Sequence, residues 1–386
     1  MAEKMTSINP TVLIWCRKVS GVSLDEAGKK FGQEKIENWE NGTDYPTYNQ
    51  LQQLCDFYRK PVAICFFPEP PEYKSLSTSF RTIPANMEAL LLNRRIIKLL
   101  DGARTMQLNL YELKKDNYAY SHFSSLEFSP KVTIMAQELR KILHGNLSLQ
   151  KKISSGSEQF EFWREKISEI GIFVFKEAFG EDSTSGFCLY DDVFPVIYIN
   201  NSLSFTRQLF TLFHELCHII YKTSGIDILN DSFYHSNLEG FSLNVERSCN
   251  AFAGAFLVPD NDFTKAIDGK RPTEEFVSKL ASTYSVSREV ILRKFLDIQW
   301  ISQDEYTERS AQYMADYFRI KSADKAKKSS GNYYNTQAAY KGKQYTELVF
   351  RSYYSSQINL TQAAQYMNMK IPSIRLFAEK RGWGSL

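Results

Sequence analysis

The sequence predicts a mainly α fold with a small β-sheet (α+β), divided into an N-terminal helical bundle, a central domain and a C-terminal helical region. Three observations carry that expectation. Apolar residues recur at helical spacing through most of the chain. Two runs rich in β-branched and aromatic residues, GIFVFKEAF and DDVFPVIYIN, read as strands. The length of 386 residues favours two or three domains over one.

Residues 8–72 read as short helices with helix-turn-helix character. TVLIWCRKVSG has helical apolar spacing and ends at Gly21. Ser23 and Glu26 form a capping box at the start of SLDEAGKKF. Gly32 supplies a turn, QEKIENWENG follows as a short helix with Ile36 and Trp39 facing inward, and TYNQLQQLCDFYRK is a further amphipathic helix. Such a bundle places its second motif helix in the major groove of DNA. Gln and Asn can read adenine edges, so Gln33, Glu34, Lys35 and Asn38 are the candidate DNA-binding residues. Glu34, Glu37 and Glu40 argue the other way, since they repel phosphates, and similar bundles also serve as dimerisation or docking modules.

PVAICFFPEPPEYKSL is a short apolar run with a Pro-rich exit, which puts the first boundary near residue 72. Residues 73–170 read as a helical linker and the start of the next domain. Residues 171–300 hold the two strands and then NSLSFTRQLFTLFHELCHIIYK, a strong helix. SLNVERSCNAFAGAFLV is a second helix ended by Pro259, and EEFVSKLASTY and SREVILRKFLD are two more. In the basic region 301–386, KSADKAKKSSGN (321–332) reads as a linker and YTELVFRSYYSS as a helix. LTQAAQYMNMKIPSIRLFAEKRG reads as a possible second helix-turn-helix, turning around Asn368 with Pro372 early in its latter helix.

Hydrophobic residues make up 43% of the chain and charged residues 24%, ordinary values for a soluble globular protein. No apolar run approaches the ~18–20 residues that span a bilayer, and MAEKMTSINP lacks the apolar stretch of a signal peptide. The six cysteines form no C-x-x-C pair, which suits reduced thiols in a cytoplasmic protein. Residues 1–72 carry 8 Lys/Arg against 10 Asp/Glu, whereas residues 301–386 carry 13 against 7. Any general attraction to phosphates therefore comes from the C-terminal end.

The strong helix contains His214-Glu215-Leu216-Cys217-His218, an H-E-x-x-H string. Residues four apart share a helix face, so His214 and His218 can hold one zinc ion (Zn2+), with Glu215 beside them as general base. A helix with one buried and one exposed histidine is the plain alternative. Catalytic zinc uses three protein ligands and an open position. A third histidine six residues after His218 is ruled out, because Ser224 stands there. Glu246, on the following helix, is the candidate third ligand, with Glu239 as its competitor. Ala253, Gly254 and Ala255 form a small-residue patch suited to close packing against the histidine helix. Asp227, Asp231 and His235 read as solvated loop residues, although His235 or Tyr234 could supply a second electrophile.

FTLFHELCHII followed by ERSCNAFAGAFLVP resembles the ImmA/IrrE family of metallopeptidases, and GFCLYDDVFPVIYINNSLS resembles the segment that family carries before its zinc helix. The N-terminal bundle is similar to the XRE/Cro-type helix-turn-helix often fused ahead of such domains. The resemblance spans roughly residues 8–300, and GNYYNTQAAYKGKQYTELVF resembles the ending of longer fused members. The family implies a zincin-like core and a gluzincin-like zinc peptidase that cuts repressors or other regulators of mobile elements or stress responses. Fused members also act as antitoxin-like regulators beside toxin genes. Carried over by motif, the resemblance puts zinc on His214, His218 and Glu246, with Glu215 as base. Cys217 stands where the family usually has Gly, and its thiol could oxidise or compete as a ligand. The expected partners are a repressor or toxin protein and DNA, with no membrane and a possible homodimer on a two-fold operator. Two functions stay open: an endopeptidase coupled to a DNA-binding domain, and a DNA- and partner-binding regulator that uses the zinc domain as sensor or scaffold.

Overall fold

A computed structural model describes residues 3–71, 94–114, 123, 126–180, 183–228, 240–325 and 332–383. They fall into two compact units: residues 3–71 with 94–102, and the described residues from 103 onward. The boundary expected near residue 72 lies outside them.

The first unit contains α1 (Pro10–Val19), α2 (Leu24–Phe31), α3 (Gln33–Asn41) and α4 (Tyr48–Tyr58), then a 3-10 turn, Val62–Phe66. Side chains start these helices. Asn9 accepts from the Thr11 amide, and Ser23–Glu26 and Thr47–Gln50 form reciprocal capping boxes. Gly42 ends α3 at φ 70°, the left-handed conformation for which glycine has no Cβ penalty. Val12, Leu13, Cys16, Ile36, Trp39, Leu51 and Leu54 close one core. The Arg17 guanidinium donates to both carboxylate oxygens of Glu40, at 2.7 and 2.8 Å. Cys55 and Cys65 Sγ lie 3.3 Å apart, and all six cysteines are buried and free.

The second unit takes the residues of α5 (Arg94–Leu113) from Ala103 on, then α6 (Val132–Ile142), α7 (Leu147–Lys152) and α8 (Gly156–Glu169). Strands β1 (Phe173–Glu177), β2 (Thr184–Leu189) and β3 (Val196–Asn200) precede the long α9 (Phe205–Ile220). Edge strand β4 (Gly225–Ile228) then leads toward α10 (Gly240–Leu257). The sheet order is β1-β3-β2-β4, with β1 parallel to β3 and the other pairs antiparallel. Two sequence expectations are corrected here. β2 contains Gly186 and β4 has four residues, too short and too glycine-rich to stand out as periodic runs. Asp227, expected in a loop, lies on β4.

Gly186 and Gly225 let α9 lie close on this sheet. A Cβ at Gly186 would come within 2.6 Å of Thr211 Cγ2, and one at Gly225 within 2.6 Å of the His218 ring. On the other side of α9, the rings of Phe213 and Phe256 stack at 3.9 Å between centroids. Trp163 meets both edge-on, at 5.5 and 4.9 Å, and the Arg140 guanidinium lies 4.4 Å above Phe256. This aromatic block fixes α8, α9 and α10 against one another. Of the small-residue patch on α10, Ala253 is fully buried, but a Cβ at Gly254 would meet nothing, so close packing does not depend on that glycine.

The domain continues with α11 (Asp260–Ile267), α12 (Glu274–Tyr284), α13 (Arg288–Asp297) and α14 (Gln303–Lys325). Residues 321–325, expected in a linker, extend α14 instead; 326–331 lie outside the described residues. The end of the chain forms α15 (Tyr333–Lys341), α16 (Lys343–Tyr354), α17 (Leu360–Tyr366) and α18 (Ile371–Lys380). It is fastened to the sheet side of the domain by the buried Arg164 of α8. Its guanidinium donates to Val174 O at 2.7 Å, Ala339 O at 2.7 Å and Tyr340 O at 3.0 Å. Among the described residues no helix is long and apolar enough to cross a membrane.

Candidate metal centre

Helix α9 is buried on almost every side, and three of its buried residues are ionisable. His214, Glu215 and His218 are 2%, 0% and 0% exposed. Such groups are rarely buried so fully unless they are paired, so their presence needs a partner from elsewhere. Helix α10 supplies one. Glu246, 3% exposed, places Oε2 3.3 Å from His214 Nε2 and Oε1 3.3 Å from His218 Nε2. The two Nε2 atoms lie 3.2 Å apart. Among the described residues this is the group in which three His, Cys, Asp or Glu side chains offer ligand atoms within 4.8 Å of one another.

Hydrogen bonds behind the rings hold the Nδ1 side of each imidazole. Thr223 Oγ1 donates its one hydrogen to His218 O, at 3.0 Å, so toward His218 Nδ1, 3.3 Å away, it acts as acceptor. His214 Nδ1 likewise donates to Asn250 Oδ1 at 3.0 Å. Both Nδ1 atoms are engaged behind the rings, and both Nε2 atoms face Glu246. This is the arrangement a metal-ligating imidazole requires.

The residues present fit a divalent cation. Both Glu215 oxygens and Glu246 Oε1 are buried without a hydrogen-bond partner, a costly condition for a carboxylate in a dry interior. The donor set is two imidazoles and one carboxylate, which suits zinc.

Electrostatics separate the two glutamates. Burial pushes the Glu215 carboxyl up to about 7, against the opposing pull of His218 and His214. For Glu246 burial also pushes upward, but the two histidines outweigh it and hold the carboxyl well below the usual range. Burial alone would lower His214, yet its hydrogen bond to Glu246 and the charge of Asp227 raise it to about 10. Thus Glu246 stays a carboxylate while Glu215 is poised to exchange a proton near neutrality.

Several expected residues take other places. Asp227 is not solvated: it is 6% exposed, held by Arg207 Nη2 at 3.0 Å to each oxygen and by the Thr211 hydroxyl at 2.9 Å. Cys217 lies in the apolar core, in hydrogen-bond contact with Cys249, and does not join the ligand group. Ser224 accepts the Tyr190 amide at 2.9 Å. Asp231, Tyr234, His235 and Glu239 lie outside the described residues. Gln33, Glu34 and Lys35 are exposed on α3 and Asn38 is half-buried there. The Gln33 amide donates to Glu37 at 2.7 Å, and Asn38 accepts from the Thr43 hydroxyl at 3.1 Å. Sequence reasoning missed Asn250 and Thr223. Asn250 was legible in part, since it follows Glu246 by four residues on one helix face.

Fold and site together define a class: an α+β domain whose buried helix presents an H-E-x-x-H face to a glutamate from the next helix. The profile of the IrrE N-terminal-like domain, a peptidase family, matches residues 167–296. The radiation response metalloprotease IrrE of Deinococcus radiodurans is 34% identical over 100 residues, covering 25% of this chain and 30% of that protein. The protein of the same name from Deinococcus deserti is also 34% identical over 100 residues, covering 25% and 34%. The matched region is thus about a third of the length of these relatives. Among solved structures, a Mycobacterium tuberculosis transcriptional regulator aligns at 17% identity and a TM-score of 0.30, over 48% of this chain and 51% of its own. Residues 167–296 are thus similar to the IrrE N-terminal-like peptidase domain, a family that implies a metal ion.

Proposed function

We propose that the protein is a zinc-dependent endopeptidase coupled to a DNA-binding domain, and that it cleaves a repressor or another regulatory protein. The observation that supports this best is the buried His214–His218–Glu246 group with the unpartnered Glu215 carboxylate beside it. In this reading His214 Nε2, His218 Nε2 and Glu246 hold the zinc ion. When bound, the ion supplies Lewis acidity that polarises a peptide carbonyl and acidifies water. Glu215 takes the proton of the attacking water and passes it to the leaving amine, a role suited to a carboxyl raised to about 7. Asn250 and Thr223 keep both imidazoles in the ligating tautomer.

Purified protein with zinc and a candidate repressor should yield discrete fragments. Glu215→Gln should keep the metal and lose cleavage by about 10²–10⁴-fold. Cutting that survived this change would sink the assignment.

A second reading is a regulator or antitoxin that binds DNA and a partner protein, with the zinc domain as sensor or scaffold. The polar face of α3, carrying Gln33, Glu34, Lys35 and Asn38, supports it. So does the Arg17–Glu40 pair, which neutralises one of the three glutamates that would oppose phosphate. It requires that a His214/His218 double variant still bind its operator.

A further inference from the structure

The N-terminal unit is a poor source of attraction for a polyanion. Residues 1–72 carry more acid than base, and α3 exposes Glu34 and Glu37 beside its single lysine. The opposite balance sits at the other end of the chain. Residues 332–383 carry 7 Lys/Arg against 2 Asp/Glu.

Within them α16, α17 and α18 build a three-helix module. In α16 Phe350 stacks on Phe377 of α18, with centroids 6.2 Å apart, and on Trp383 at 5.3 Å. Ala363 and Ala364 of α17 are buried in the crossing, and Tyr345 Oη donates to Tyr366 O at 3.0 Å. Between α17 and α18 runs a four-residue turn, 367–370, in which Asn368 adopts φ 51°. Asparagine tolerates this left-handed geometry better than most residues. Two short helices joined in this way form the geometry in which a second helix docks into a major groove.

The outward face of α18 has the matching chemistry. Ile374, Phe377 and Ala378 are buried, so Lys370, Ile371, Arg375, Leu376, Glu379 and Lys380 face outward, three bases against one acid. Among the described residues, Lys370 and Arg375 have no carboxylate or hydrogen-bond partner in the fold. Arg381 reaches Asn335 at 3.1 Å and Lys380 lies over Tyr334 at 5.1 Å, and both remain exposed. Ile371, 38% exposed at the start of the helix, is an apolar side chain of the kind that can meet a thymine methyl.

We propose that α17 and α18 form a double-stranded-DNA-binding surface, with α18 in the major groove and Lys370, Arg375, Lys380 and Arg381 neutralising backbone phosphates. The inference rests on the DNA-bound part of the proposed function and is independent of its peptidase part. It assigns the phosphate attraction to the C-terminal module and leaves α3 at most a reader of bases.

The test is fluorescence anisotropy of the full chain with a random 30-base-pair duplex, from 50 to 200 mM KCl. Three proteins are compared: unchanged, Lys370→Gln/Arg375→Gln, and Gln33→Ala/Asn38→Ala. Each phosphate contact contributes about 0.9 to the slope of log K against log salt. The α18 variant should lose about two from that slope and bind at least tenfold more weakly at 50 mM, with an unchanged melting temperature. The α3 variant should keep the slope. An unchanged slope in the α18 variant together with weakening in the α3 variant overturns the inference and spares the DNA-bound reading. Absence of duplex binding by the unchanged protein overturns both. A single-stranded 30-mer RNA that binds more tightly than the duplex also overturns the inference.

Discussion

Asn250 stands one helical turn beyond Glu246 on α10, and its Oδ1 accepts the Nδ1 hydrogen of His214 at 3.0 Å. One helix face thus approaches the histidine from two sides: the carboxylate meets Nε2 and the amide holds Nδ1. Asn250→Ala removes the orienting acceptor and leaves the apolar packing intact. Metal affinity, read by competition with a chromogenic chelator, should fall about 10–100-fold, and Asn250→Asp should restore most of it. Full affinity in the alanine variant would show that the hydrogen bond does not position the ring.

Gly225 gives a steric test of the same centre. Any Cβ there lies 2.6 Å from His218 Cδ2 and 2.7 Å from Cγ, well inside contact distance. Gly225→Ala should therefore push the ring aside, lowering bound metal and proteolysis together, while Gly254→Ala on α10 meets open space and should change neither. Metal content by mass spectrometry after dialysis separates the two variants.

The aromatic block that joins α9 and α10 carries a stability cost when broken. Phe256→Ala deletes a fully buried ring that stacks on Phe213 and lies under Arg140. A loss of about 3–5 kcal/mol is expected from urea unfolding, with weakened metal binding in the folded fraction. A loss below about 1 kcal/mol would mean that Trp163 and Phe213 collapse into the gap.

Lys176 gives a pH test. It is 3% exposed, 3.6 Å from the Phe160 ring centroid and 3.4 Å from Glu161, and burial lowers its ammonium to about 8. The folded chain then holds fewer protons here than the unfolded chain between pH 8 and about 10.5. The penalty for burying the charge is complete below pH 8 and fades as pH rises through that window. Lys176→Met should thus be more stable than the unchanged protein at pH 7, and its advantage should shrink by pH 10. An advantage that did not vary between pH 7 and pH 10 would contradict the burial argument.

Much of this architecture is legible in the residues because local signals agree with packing. Ser23 and Glu26 cap α2, and the apolar face of TYNQLQQLCDFYRK is the buried face of α4. The pairing of His214, His218 and Glu246 follows from helical spacing and one choice of carboxylate. β4 escapes because its Ile-Asp-Ile alternation begins on a glycine and spans only four residues, too few to stand out; the strand exists because it pairs with β2 and because Arg207 and Thr211 satisfy the acid. Thr223 escapes for a related reason. Its role depends on a turn that folds back to the carbonyl of His218, a relationship that residue types do not encode.

Arg164 also determines how the second unit melts. Its three donors end on carbonyls from β1 and from the C-terminal α15, and at Gly342, φ 75°, a Cβ would strike the guanidinium at 2.5 Å. Peeling the C-terminal helices away would strand two of those donors on a side chain otherwise shut from water, at roughly 1–3 kcal/mol each. The sheet, the helices packed on it and the last four helices are therefore coupled as one cooperative folding block. They should unfold in a single calorimetric transition, and a chain cut between α14 and α15 should give a core that melts earlier than the whole.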